Sequence, residues 1–225
     1  MGAVIEIDHI NRIFGSGAKQ FQALTDINAV IPASKLTILK GRSGSGKTTL
    51  LNIIGALDEP TSGEIRMNGE SLRRMSDRER ENMRRNKFGF VFQAVSLIPT
   101  MSAYQNVEFA LRMAGQKGNF RPRVTEMLHM VGLGNRMNHM PAELSGGEQQ
   151  RVAIARAIAH HPEVVLADEP TAELDSAMAA EVTRLLKELT RTENVTVVMT
   201  THDVGLMDAG DHLIELESGR VVEHE

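Results

Sequence analysis

The sequence predicts an α/β fold, with a mixed sheet and an inserted α-helical subdomain, from three observations. Short β-branched runs alternate with helical periodicity along most of the 225 residues. A glycine-rich segment from Gly41 to Thr48 joins one of those runs to a helix. The stretch from Ala94 to Glu143 instead carries helical pattern and many methionines, and is interrupted by Pro99, Pro122 and Pro141.

The elements follow in order. Val4-Ile5-Glu6-Ile7 alternates like a half-buried strand. Leu36-Thr37-Ile38-Leu39 is a buried strand, and Thr49-Leu50-Leu51-Asn52-Ile53-Ile54 is the helix that follows it across the glycine-rich turn. Glu64 to Met67 and Phe88 to Phe92 are further strand candidates. Val164 to Ala167 and Val195 to Met199 are short, β-branched and suited to a sheet covered on both faces. Between them Val182, Leu185, Leu186 and Leu189 recur at helical spacing and give one apolar stripe. Leu213 to Leu216, a turn at Ser218-Gly219 and Arg220 to Val222 read as a hairpin, so antiparallel strands join the parallel ones.

Composition narrows the class. The hydrophobic fraction of 41% and charged fraction of 24% are those of a soluble globular domain, and a net charge of −4 argues against a general nucleic-acid binder. The absence of cysteine excludes disulfides and thiolate metal sites. No apolar run is long enough to span a membrane, and Met1 to Asp8 lacks the pattern of a signal peptide, so the expected location is cytoplasmic.

Three motifs carry chemistry. The first, Gly41-Arg42-Ser43-Gly44-Ser45-Gly46-Lys47-Thr48, fits G-x-x-x-x-G-K-[ST]. In that pattern backbone N–H groups cradle phosphates at a helix N-terminus, Lys47 reaches the β- and γ-phosphates, and Thr48 takes a place on Mg²⁺. The second is Val164 to Glu169, a hydrophobic strand that delivers two carboxylates to the carboxyl edge of the sheet. Asp168 suits the Mg²⁺ shell, which leaves Glu169 free to polarise a water as general base. Taken alone, such a pair before Pro170 merely opens a loop; behind a phosphate loop it gains a task. The third is Leu144-Ser145-Gly146-Gly147-Glu148, where Ser145 is an N-cap and Glu148 lies three residues on, as in a capping box. Its bland reading is a well-capped helix. Its adjacent glycines also expose N–H groups, forming a second anion site that suits the nucleotide of a second subunit.

Together these motifs resemble the ATP-binding subunit of ABC transporters, over nearly the whole chain. The resemblance makes Gly41 to Thr48 the Walker A loop, with Thr49 at the start of its helix, and makes the strand ending at Asp168 and Glu169 the Walker B strand. Gln93 matches the Q-loop glutamine, which touches nucleotide and Mg²⁺, and Ser145, Gly146 and Gly147 match the signature loop. Ala172-Glu173-Leu174-Asp175 matches the D-loop, His202 the switch histidine that senses the γ-phosphate, and Phe14 the aromatic that stacks on adenine. Two departures stand out: Glu148 occupies the place of a glutamine, and Phe14 that of a tyrosine. No guanine-reading N-K-x-D is present, since Asn86-Lys87 precedes Phe88-Gly89, which favours ATP.

The resemblance implies a P-loop NTPase core of residues 1–93 and 144–225, with an N-terminal antiparallel β part, and a helical subdomain of residues 94–143. It implies an ATPase that dimerises, with itself or with a related ATPase subunit, around two Mg-ATP. It also implies a separate transmembrane permease, docked around Gln93 to Asn106, that holds the chain on the inner face of the membrane. The wording Ala167-Asp168-Glu169-Pro170-Thr171 resembles the lipoprotein-release, macrolide-export and antimicrobial-peptide-resistance group. A cell-division ATPase that drives a non-transporting membrane protein is the second reading. A DNA-repair ABC ATPase would need a long coiled coil, for which the interval from Gln93 to Leu144 is too short. The run Arg73 to Lys87 holds seven basic residues and reads as a solvated helix face, with lipid head groups or the membrane partner as the functional alternative.

Overall fold

Alternate residues of the central strands enter two different cores. In the computed structural model, which describes residues 2–222, Leu36 and Ile38 of β3 (Leu36–Lys40) join one apolar cluster and Leu39 joins the other. The same alternation splits β7 (Val164–Ala167), with Val165 and Ala167 on one side and Val164 and Leu166 on the other. It also splits β8 (Thr196–Thr201), with Val197 and Met199 opposed to Val198. A period of two that is apolar on both faces is why these strands read as continuous hydrophobic runs.

The six-stranded sheet that results has the order β10-β9-β3-β8-β7-β6, with β6 at Phe88–Val91, β9 at His212–Glu217 and β10 at Arg220–Val222. Pairings from β6 to β9 are parallel, and β10 closes against β9 as the expected antiparallel hairpin.

Beneath one face lie helix α1 (Lys47–Ile54) and a four-stranded antiparallel sheet of order β2-β1-β4-β5. Its strands are β1 (Ala3–Phe14), β2 (Phe21–Pro32), β4 (Ser62–Met67) and β5 (Glu70–Ser71). Leu50, Ile53 and Ile54 of α1 are essentially inaccessible, and side chains of that size contribute roughly 1.5–3 kcal/mol each when fully buried. The sequence shows only Val4 to Ile7 of β1 and nothing of β2. Register shifts between Ile7 and Ile10 and again near Arg12, with left-handed backbone at His9 and Asp26, break the alternation that would have exposed them.

Over the other face lie α3 (Ala103–Met113), α4 (Arg121–Met130), α5 (Gly146–Ile158) and α6 (Ser176–Thr192). In α6 Val182, Leu186 and Leu189 are buried, while Leu185 is only partly covered. Helix α2 (Asp77–Lys87) buries no residue, and five of the seven basic residues from Arg73 to Lys87 have partners on this chain. Arg80 meets Glu59 and Asp77, Arg85 meets Glu81, and Lys87 meets Glu163. Arg84 and Arg73 donate to the carbonyls of Ala56 and Gly63.

Candidate functional site

The glycine-rich segment leaves β3 and winds into α1 with Gly46 as N-cap at φ 104°. A side chain there is barred twice, by that left-handed backbone and by a β-carbon that would lie 2.7 Å from Leu24 Cδ2 and 2.9 Å from the Ala23 carbonyl. The loop therefore lies against β2, and Ser43 and Gly44 face solvent. Lys47 is 4% exposed. Its ammonium donates to the carbonyls of Gly41 at 2.8 Å and Arg42 at 3.2 Å, and lies 3.5 Å from Glu169 Oε1. Such pairing is what a buried cation requires.

Strand β7 ends at Ala167 and turns Asp168 and Glu169 toward that lysine. Asp168 Oδ1 accepts the Thr48 hydroxyl at 3.1 Å and the Thr200 hydroxyl at 2.7 Å. Thr200 also accepts the Glu169 N–H at 2.8 Å, so one hydroxyl of β8 holds both acidic residues. Glu169 has φ 43°, a left-handed conformation that costs on the order of 1–3 kcal/mol in a non-glycine residue and is held by its surroundings. Its Oε2 lies 3.1 Å from His202 Nδ1. The carboxylate thus stands between a lysine ammonium and a half-exposed imidazole, each on its own oxygen.

Thr48 and Asp168 fit Mg²⁺. Their oxygens are 3.1 Å apart, and adjacent ligands of an octahedral Mg²⁺ stand about 3.0 Å apart. No group of three His, Cys, Asp or Glu able to hold a metal exists among the described residues. A site with one carboxylate and one hydroxyl suits an ion that brings phosphate and water as its other ligands.

Cavities of about 340, 360 and 660 Å³ open around the loop. The first is lined by Ser43, Gly44, Gly46, Lys47, Thr48 and Thr49 with Gln93 and Glu169 opposite, so Gln93 does share a surface with Thr48. The aromatic in that lining is Phe21, which pairs directly across the β1–β2 ladder with Phe14. Phe14 ends β1, is 39% exposed, and carries the Arg12 guanidinium over its ring. Phe21, Thr200 and Arg12 are the residues that sequence reasoning missed.

None of these three cavities is lined by Ser145, Gly146 or Gly147. Those residues begin α5, where Ser145 and Gly146 are exposed. The expected capping box is present: the Ser145 hydroxyl accepts the Glu148 N–H at 3.3 Å, and the Glu148 carboxylate accepts the Ser145 N–H at 2.9 Å. That backbone bond, with help from the Ser145 hydroxyl and from Arg136 and Arg151, holds the Glu148 carboxyl below the usual carboxylate range. Glu148 is therefore folded back on its own helix. Gly147 is buried, and a β-carbon on it would lie 1.7 Å from Met178 Cε in α6.

A family model described as "ABC transporter" matches residues 24–172. The chain is 42% identical over 221 residues to an uncharacterised ABC transporter ATP-binding protein of Methanocaldococcus jannaschii, covering 98% of both. It is 39% identical to the uncharacterised ABC transporter ATP-binding protein YbbA of Escherichia coli, covering 98% of this chain and 97% of that one. Identity with the macrolide export ATP-binding/permease protein MacB of Rhodopseudomonas palustris is 43%, and with the probable syringafactin export protein SyfD of Pseudomonas syringae 42%; the chain spans only 34% of the length of either. Among solved structures, a dimeric ATP-binding cassette in a post-hydrolysis state, bound to ADP and Pi, superposes with TM-score 0.88 at 40% identity, covering 98% of this chain and 97% of that chain.

Proposed function

The chain belongs to the ABC transporter family and is its ATP-binding, ATP-hydrolysing part, and from that premise we propose that two copies close around two Mg-ATP to drive a membrane-spanning export subunit. The observation that carries this reading is the separation of two anion-binding helix starts. Lys47, Thr48, Asp168, Glu169 and His202 converge through contacts of 3.5 Å or less, whereas Ser145 and Gly146 are exposed elsewhere and line none of the cavities about the loop. In the closed dimer each Ser145-Gly146-Gly147 start completes the partner's site.

Hydrolysis then follows from charge placement. The loop N–H groups and Lys47 bind the phosphates and stabilise charge on the leaving ADP oxygens. Mg²⁺, when bound at Thr48 and Asp168, supplies charge neutralisation at the β- and γ-phosphates. Gln93, which lines the same cavity as Thr48, would be a further oxygen ligand to that ion. Glu169 takes the proton of the attacking water, and His202, tied to its other oxygen, orients the carboxylate and contacts the γ-phosphate. The nucleotide's base rests on Phe14.

The membrane subunit docks on a groove of about 440 Å³ between β6, α3 and α5, next to Gln93. Phe92, Phe109 and Met113 are 43%, 37% and 52% exposed there, an apolar lining with Arg84, Arg85 and Arg156 beside it. Its lining residues all lie outside the expected span Gln93 to Asn106, flanking it with Phe92 on one side and Phe109 and Met113 of α3 on the other. Relatives whose names join ATP-binding and permease parts in one protein support an export subunit. Relatives matched over 97–98% of their own length support its being a separate chain. That attachment places the chain on the inner membrane face. No helix among the described residues is long and apolar enough to cross a membrane.

Sizing the Glu169→Gln variant by chromatography with and without Mg-ATP tests the reading. A dimer that appears with ATP, is lost in the Glu169→Gln/Ser145→Arg double variant, and hydrolyses poorly is expected. A monomer at saturating ATP would refute the two-copy site.

A further inference from the structure

We infer that Arg12 is a positioning residue for the nucleotide base, backing the ring of Phe14 so that its opposite face takes the purine. This rests on the reading above that Phe14 is the base platform. The guanidinium carbon of Arg12 stands 4.2 Å from the centre of the Phe14 ring. The guanidinium is fixed from behind by a two-pronged pair with Asp58, Nε to Oδ2 at 2.9 Å and Nη2 to Oδ1 at 2.7 Å, and both side chains are about three-quarters covered. Asp58 Oδ1 in turn accepts the Glu59 N–H at 2.8 Å.

Two physical consequences follow. Face-to-face stacking of aromatic rings is opposed by the negative charge on their faces, and a cation on the rear face of Phe14 draws that charge away from the side offered to the purine. The ring also acquires a fixed reference. Asp58 follows α1, where the N–H groups of Leu57 and Asp58 return to the Asn52 carbonyl at 2.8 and 3.2 Å, and the other end of α1 is the phosphate loop. Base platform and phosphate cradle are therefore attached to opposite ends of one helix. A phenylalanine lacks a hydroxyl with which to anchor itself, and the planar fork of arginine supplies the anchor.

Phe21 is the competing platform, since it lies across from Phe14 and lines the cavity at the loop. Equilibrium titration of ATP and of inorganic tripolyphosphate, with steady-state hydrolysis, separates the possibilities. Phe14→Ala should weaken ATP about tenfold, within the range for loss of one base–aromatic stack. Arg12→Ala and Asp58→Asn should each weaken ATP about three- to fivefold, the scale of a partly exposed cation–π contact. KM should rise by the same factor with kcat and tripolyphosphate affinity unchanged, and Arg12→Lys should recover only part. If Arg12→Ala binds ATP normally while Phe14→Ala does not, the role of Arg12 is refuted and the platform survives. Equal loss of ATP and tripolyphosphate in Arg12→Ala, or full recovery by lysine, also overturns it. If Phe14→Ala is silent and Phe21→Ala is not, the platform itself is wrong. Should Arg12→Ala fail to fold, Asp58→Asn and Arg12→Lys decide by the same readings.

Discussion

Thr200 ties the Asp168 carboxylate and the Glu169 backbone together with one hydroxyl, donating to Asp168 Oδ1 and accepting from the Glu169 N–H. Replacing it by valine preserves shape and removes both bonds. A fall in kcat of about ten- to a hundredfold is expected, with ATP affinity changed less than about threefold, because the loss falls on a positioned base rather than on the phosphate cradle. Thr200→Ser should retain most activity, and wild-type turnover in Thr200→Val would exclude the role. Lys47→Ala would remove the proposed charge-assisted bonds to phosphate, and ATP binding weaker by at least about tenfold is expected by calorimetry. Lys47, Thr48, Asp168 and Glu169 were legible because their spacing within one loop and one strand end is the signal. Thr200 was not, because its partners lie 31 and 32 residues away and a threonine in a β-branched strand is unremarked. Phe21 belongs to a strand whose pattern the bulges of β1 obscure, and Arg12 is held in place by Asp58, 46 residues on.

At the scale of elements, the first turn of α5 meets α6 where Gly147 lies against the Met178 methyl. Any side chain there must displace the Met178 methyl, the far end of a flexible and partly buried chain, so the cost falls at the low end of the roughly 1–3 kcal/mol of overpacking. Gly147→Val should lower the melting temperature measurably, and Met178→Ala in the same chain should restore part of it. The capped start of α5 was readable from Ser145 and Glu148 alone, since a capping box is a local device; its contact with α6 is not local and left no trace in the sequence. The far end of α5 carries a pH dependence. His160 is partly buried with its ring Nε2 3.0 Å from the Phe88 carbonyl, and that burial lowers its pKa from the ordinary 6.5. The unfolded chain takes up a proton near pH 6.5 that the folded chain refuses until lower pH, so stability falls as pH drops below that value and is restored as pH rises. Denaturant midpoints between pH 7.5 and 5.5 should show this slope, flattened in His160→Gln.

For the whole molecule, the composite site makes a prediction that no single residue can. Mixing Ser145→Arg with Lys47→Ala, each inactive alone, should restore hydrolysis, because the mixed dimer has one site with an intact cradle and an intact facing helix start. Continued inactivity in a mixture shown to form mixed dimers would count against sharing. The α/β class and the mixed sheet were legible because strands covered on both faces are apolar throughout, and their alternation with helices survives in sequence. The partition of each strand between two cores was not, since a run apolar at every position carries no record of which residue faces which way.

That partition sets what can be exchanged between relatives. Helices α3 and α5, which border the proposed docking groove, share one apolar core with Val165, Ala167, Val197 and Met199, on the two strands that lead to Asp168 and carry Thr200. A graft of residues 94–143 alone would seat foreign helices on the host's α5 and disturb the apolar core it shares with the strands that carry the acid residues. If the proposed groove receives the membrane subunit, the unit to exchange is therefore the helical layer together with the odd-numbered face of β7 and β8. Chimeras cut along that seam should keep ATP turnover where chimeras cut at the ends of the insertion lose it.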